Sequence, residues 1–158
     1  MRRYGWVFGI VGLLLADRLT KLWAAHALPA GMPQPLIGNA IRLTRVYNAG
    51  GAFGLFPGSG ALFIAVSAVA ATVILCVLLF ARAQTKLLQA GLSLVFVGAV
   101  GNLIDRALNG YVLDFFEIRG FPIFNVADAC ITIGAGLIVL YALFGGERHR
   151  PQREADRS

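Results

Sequence analysis

Charge is scarce in this sequence. Only 14% of its 158 residues are Asp, Glu, Lys or Arg, where a soluble domain of this length carries about one-quarter. That shortage excludes an ordinary water-soluble domain. Apolar residues at 58% and a mean hydropathy of +0.72 point instead to a single integral membrane domain whose main solvent is lipid. Cysteine and histidine are scarcer still, at two each. Cys76 and Cys130 sit in apolar segments without a CxxC spacing, and His26 and His149 stand alone. No metal-ligand set is therefore expected, and both thiols are expected to be small buried hydrophobes. The net charge of +6 does not mark a nucleic-acid binder. The basic residues are not gathered into one motif; they fall at chain ends and between apolar segments.

What is present is apolar sequence in lengths that suit a bilayer. The fold class expected is an all-α integral membrane protein with four transmembrane helices, spanning approximately 5–27, 61–81, 87–108 and 124–145, and a small extracytoplasmic β element. The first segment resembles a signal peptide, with Arg2 and Arg3 before an apolar run and Ala25-His26-Ala27 as a cleavage-like site. DRLTK at 17–21 places three charges between the run and that site, so the segment is expected to stay as a helix. Gly5 and Gly9 form one GxxxG, a weak packing signal. The 21 uncharged residues 61–81 are long enough for a hydrocarbon core of about 30 Å. In the two loops, 40–48 alternates in a strand-like way and YVLDFFEI, 111–118, is strand-prone. Eight basic residues (Arg2, Arg3, Arg82, Lys86, Arg148, Arg150, Arg153, Arg157) fall on one side of a four-span topology and three (Arg42, Arg45, Arg119) on the other. The bias places both termini, and a charged tail at 147–158, in the cytoplasm.

The polar residues inside this apolar frame share one end of it. On that topology Asp17 lies about 18 Å along the first helix and Asp105 about 27 Å along the third. Asp114 falls in the outer loop and Asp128 at the outer start of the last helix. Asp17 and Lys21 are spaced i, i+4, as an ion pair requires; Asn102, Asp105 and Arg106 are spaced i, i+3, i+4; Asn125 and Asp128 are spaced i, i+3. A carboxylate in lipid costs at least about 2.5–3.5 kcal/mol, so these groups need one another, water or a substrate. Blander roles exist for several: a structural Asp17–Lys21 pair, an Arg106 that snorkels and pairs with Asp105, an Asn125 that caps a helix, an Asn48 that makes a Gly-rich turn. None of them explains why all converge on one side.

Two carboxylates at a desolvated site share a proton, so that one activates water while the other polarises a carbonyl. The candidates are Asp105, Asp114 and Asp128. Asp105, beside Asn102 and Arg106, looks like a paired supporting carboxylate. The apolar neighbours of Asp114 should raise its pKa. Asp128, at a helix start, is where the dipole favours the charged form. Asp114 and Asp128 are therefore the expected dyad.

The same residues resemble lipoprotein signal peptidase (signal peptidase II), a family of bacterial inner-membrane aspartic proteases. The resemblance rests on DRLTK at 17–21, NAGGAF at 48–53, GNLIDR at 101–106, VLDF at 112–115 and FNVAD at 124–128, in that order. It implies an aspartic endopeptidase that removes signal peptides from diacylglyceryl-modified prolipoproteins, cutting before the lipidated cysteine at the outer face of the membrane. It implies catalytic Asp114 and Asp128, with Asp17, Lys21, Asn48, Asn102, Asp105, Arg106 and Asn125 in supporting positions, no cofactor, and inhibition by globomycin. Gly50 and Phe53 belong to the loop expected to clamp over substrate. The chain is expected to act as a monomer with lipid and prolipoprotein as its partners. It departs from the family pattern at Arg18, where Gln is usual, at Gly51 and at Val97. The rival readings are a small proton- or ion-coupled transporter, which wants acids at several depths, and an assembly protein with polar groups as interhelical glue.

Overall fold

The computed structural model describes residues 5–49, 60–81 and 85–145. Four long helices and three strands follow in the order α1 (Gly5–Ala27), β1 (Gln34–Ile37), β2 (Ile41–Asn48), α2 (Gly60–Phe80), α3 (Lys86–Asn109), β3 (Val112–Ile118) and α4 (Val126–Phe144). By length and composition α2, α3 and α4 are each able to cross a membrane. The first helix is as long, at 23 residues, but Asp17, Arg18 and Lys21 interrupt its apolar sequence, so these two criteria do not make it a span. Exposure is inverted relative to a water-soluble protein. Phe8 and Phe80 are 82% and 77% exposed, while Asp17 is completely buried. Lipid as solvent permits that arrangement, because apolar side chains lose nothing by facing it and charges gain by turning inward.

The third helix is the hub and packs on α1, α2 and α4. Its contact with α4 is backbone against backbone. A Cβ at Gly98 would lie 2.3 Å from the Ala127 carbonyl oxygen, and one at Gly134 would lie 2.7 Å from that of Gly91. Only glycine permits this approach, which membrane helices use in place of a hydrophobic driving force. The Gly5–Gly9 pair does not serve that purpose: a Cβ at either position meets nothing within 4 Å. Ile10, Leu78, Val97 and Cys130 form the core between helices. Cys130 is buried as expected. Cys76 is exposed, because it lies on a face of α2 that no other described element covers.

The strands form an antiparallel sheet in the order β1-β2-β3. Both strand-like stretches of sequence are strands here, β2 and β3. The edge strand β1 was not expected; it is four residues long and contains Pro35, which an edge tolerates. A bulge between Leu43 and Val46 sets Val46 opposite Asp114 and Asn48 opposite Val112. Arg45, within that bulge, donates to the Ala25 carbonyl at the end of α1 and so ties the sheet to the helix. Ala24 and Leu28 pack beneath Leu113 and Phe115 at the same junction.

Two turns bring β3 to the helix ends. Gly110 ends α3 in the left-handed conformation, φ 80°, with its N–H on the Arg106 carbonyl, and only Tyr111 separates it from β3. After β3 the chain turns at Gly120, φ 84°, and returns. Phe124 then exchanges backbone hydrogen bonds with Phe116 at 2.9 and 3.0 Å. That pairing delivers Asn125 and the start of α4 to the side of Asp114.

Candidate active site

The innermost polar layer is an ion cluster between α1 and α3. Lys21 Nζ lies 3.0 Å from Asp17 Oδ2 and 2.7 Å from Asp105 Oδ2. Arg18 bridges the same two acids, with Nη2 2.9 Å from Asp17 Oδ2 and Nη1 2.6 Å from Asp105 Oδ1. Two anions and two cations alternate, so the cluster is neutral. Arg18 Nη2 also donates to the Gly101 carbonyl at 2.8 Å. Gly101 must be glycine, since a Cβ there would lie 2.9 Å from Asp17 Oδ2. Asp17 Oδ1 accepts from the Ala127 N–H at 3.0 Å. It thereby satisfies an otherwise orphaned donor in the first turn of α4 and holds three helices at one point.

Asparagines carry the network outward from this base. Asn102 Oδ1 accepts from Lys21 Nζ at 3.2 Å, and its Nδ2 donates to Asp128 Oδ1 at 2.7 Å. The cation on one side of the amide thus fixes which end faces the acid. Asn125 Nδ2 donates to Asn102 Oδ1 at 3.2 Å and to Asp114 Oδ1 at 2.7 Å. Its Oδ1 accepts from the Asp128 N–H at 3.0 Å, while Asp128 Oδ2 accepts from the Asn125 N–H at 3.3 Å, a complete capping box. Asn48, at the end of β2, donates to Asp114 Oδ2 at 3.0 Å. Asp114 and Asp128 are thus joined through Asn125 and Asn102, and every oxygen of both carboxyls has a donor.

Burial foremost, and then the charge of Asp128, push the Asp114 carboxyl up from 3.8 to about 6; the hydrogen bonds from Asn48 and Asn125 and the charge of Lys21 pull the other way. An acid so placed holds its proton in mildly acidic water. Glu117 in the same strand is the opposite case. The Thr44 hydroxyl and the Arg42 guanidinium hold its carboxyl below the usual range, which suits an ion pair within the sheet.

Asp17, Lys21, Asn48, Asn102, Asp105, Asp114, Asn125 and Asp128 come together as the sequence suggests. Arg106 does not pair with Asp105. Its guanidinium stands 5.1 Å from the ring centre of Phe63 on α2, because neighbouring helical side chains diverge by about 100°. Asp105 faces α1 and takes Arg18 and Lys21 instead. Arg18, seen in the sequence only as a departure, is the residue that sequence reasoning missed. Charge counting could have pointed to it, since Lys21 alone leaves Asp17 and Asp105 one cation short and Arg18 is next to Asp17. Gly50 and Phe53 lie outside the described residues.

Comparison with known proteins shows the family. The family described as signal peptidase (SPase) II matches residues 9–144. The chain belongs to the signal peptidase II family. A lipoprotein signal peptidase from Brevibacillus brevis is 41% identical over 150 residues, covering 92% of this chain and 99% of its own. One from Clostridium acetobutylicum is 37% identical over 140 residues, covering 85% and 91%. A bacterial membrane enzyme solved at 2.3 Å by the in meso method superposes with a TM-score of 0.86 at 28% identity, covering 93% of this chain and 92% of that one. Signal peptidase II membership makes the chain a membrane-integral protease. The transporter reading finds no support. It wants acids at several depths, whereas Asp17, Asp105, Asp114 and Asp128 join one connected polar cluster.

Proposed function

We propose that this protein is an aspartic endopeptidase that removes signal peptides from diacylglyceryl-modified prolipoproteins, with Asp114 and Asp128 as the catalytic pair. The observation that carries the reading is the joining of these two carboxyls by Asn125 and Asn102 where the sheet meets the ends of α3 and α4. Asp128, ionised, takes a proton from water as the oxygen attacks the scissile carbonyl carbon. Asp114 gives its proton to the carbonyl oxygen. Collapse of the tetrahedral adduct breaks the C–N bond as one hydroxyl returns its proton to Asp114, and the proton held by Asp128 passes to the leaving amine of the lipidated cysteine. All four helices cross the inner membrane with both termini in the cytoplasm, and the enzyme works as a monomer at the outer face. Acyl chains can reach that face from lipid and water from the other side. Asn102, Asn125 and Asn48 orient the pair, Arg106 serves the substrate side, and Gly50 and Phe53 belong to a loop that closes over it. Globomycin is expected to block the reaction.

Purified protein in detergent, given a diacylglyceryl-modified precursor, should release a signal peptide. Burial of acyl chains contributes about 0.8 kcal/mol per CH₂, so the unlipidated precursor should be cut at least about 10²-fold more slowly. Equal rates for the two precursors would overturn the substrate assignment, and no cleavage of either would overturn the activity.

The proton on Asp114 gives this mechanism a pH signature. Below about 6 the carboxyl is protonated, so kcat/KM should fall as pH rises through that value. Asn48→Ala deletes a hydrogen bond that favours the ionised form, so the falling limb should move to higher pH. A limb that stays in place in Asn48→Ala would rule out Asn48 as a partner of the titrating acid.

A further inference from the structure

We propose that Arg18 is a positioning residue for the dyad: it neutralises the second of two buried carboxylates, so that Lys21 stays on Asn102 instead of being drawn wholly between Asp17 and Asp105. The inference rests on the proposed catalytic pair and goes beyond it, because Arg18 touches neither carboxyl.

The geometry is a relay. The Arg18 guanidinium places one nitrogen on each acid and a third hydrogen bond on Gly101, a fork that a lysine ammonium cannot reproduce. Its Nη1 takes Asp105 Oδ1, which leaves Oδ2 to Lys21. Lys21 can then reach Asn102 Oδ1 while still touching both acids. Asn102 in turn points its Nδ2 at Asp128. Without Arg18 the cluster carries one net negative charge in a buried site, and the only cation left in it is the one that orients Asn102.

The charged groups that face the dyad come from few elements. The first helix presents Lys21, with Asp17 and Arg18 behind it. The third presents Arg106 and, behind Lys21, Asp105. The sheet pairs its own ions, Arg42 with Glu117, and Arg45 is held on Ala25 and Tyr47. The second helix has no charged residue between Gly60 and Phe80. Among the described residues no cation other than Lys21 pairs with Asp17 or Asp105, so the Arg18 charge is not replaced within the ion cluster when it is removed.

The test is the titration of Asp114, read in two ways: the falling limb of kcat/KM with lipidated precursor, and the carboxyl chemical shift of labelled protein in micelles, which needs no turnover. Arg18→Gln leaves one net negative charge and should move both readings to higher pH by about one unit. Arg18→Gln combined with Asp105→Asn restores neutrality and should return them to the wild-type position, whatever its absolute rate. A lower melting temperature with an unmoved titration in Arg18→Gln would make Arg18 merely structural and overturn the proposal. Should Arg18→Gln fail to fold, the neutral double variant decides: a displaced titration there overturns it. If the wild type cleaves no precursor and the carboxyl shift still responds to Arg18→Gln, the protease assignment fails and the role of Arg18 stands.

Discussion

Asp114→Asn and Asp128→Asn are each expected to cut turnover of a diacylglyceryl-modified precursor by about 10²–10⁴-fold, the range for losing a positioned general acid or base. Both replacements keep the shape of the side chain, remove its charge and its ability to hold or give a proton, and turn one acceptor into an NH₂ donor. Folding should survive. At position 114 the new amide oxygen still accepts one of the two hydrogen bonds that Asn48 and Asn125 supply, while its NH₂ meets the other donor. At position 128 the same conflict falls on Asn102 or on the Asn125 N–H, and the helix cap weakens by about 1 kcal/mol. Melting in detergent should therefore shift far less than activity. The two losses should also be non-additive, because one acid without its partner does no chemistry. The double variant should be no slower than the worse single one. Activity within tenfold of wild type in either single variant would remove that aspartate from the catalytic pair. Asp105→Asn is the contrasting case, since among the described residues Asp105 pairs only with cations of the ion cluster; its cost should fall mainly on stability.

The parts of this site that are legible in sequence are those whose partners lie close along the chain. Asn125 and Asp128 spell a helix start before an apolar run, and the capping box is there. Asp17 and Lys21 spell an i, i+4 pair, and they are in contact. VLDFF reads as an apolar strand around one acid, and Asp114 is buried in it. Long-range partners are not legible. Nothing local says that Asp105 turns toward α1 and not toward Arg106, because that depends on which face of α3 meets which helix. Nor does anything local show that Asn48 ends opposite Val112, since the bulge in β2 sets that register. The small-residue signal is misleading for a related reason. Gly5 and Gly9 form the recognisable spacing and pack on nothing among the described residues, while Gly98 meets Ala127 and Gly91 meets Gly134, partners far apart in sequence that only the fold brings together.

Lys21→Met should be the most destabilising single change in the polar layer, costing about 3–5 kcal/mol. Methionine matches the lysine stem in length and apolar character, so packing changes little and the charge is what is lost. The lysine side chain is only 5% exposed, and water cannot take its place readily. Two buried carboxylates then share Arg18, and Asp105 Oδ2 loses its only ion-pair partner among the described residues. Asn102 loses the donor that fixes its amide, so activity should fall with stability. The cost belongs to the unpaired charge and not to the missing contact, and a second substitution separates the two. Lys21→Met with Asp105→Asn leaves Asp17 against Arg18 and a neutral cluster. It should recover about 0.5–3 kcal/mol relative to the sum of the single changes, the coupling expected of groups in direct contact. Thermal unfolding of the four proteins in one detergent measures that coupling. Additive losses would mean that the two charges do not act on each other, and the ion cluster would then not be what holds α1 to α3.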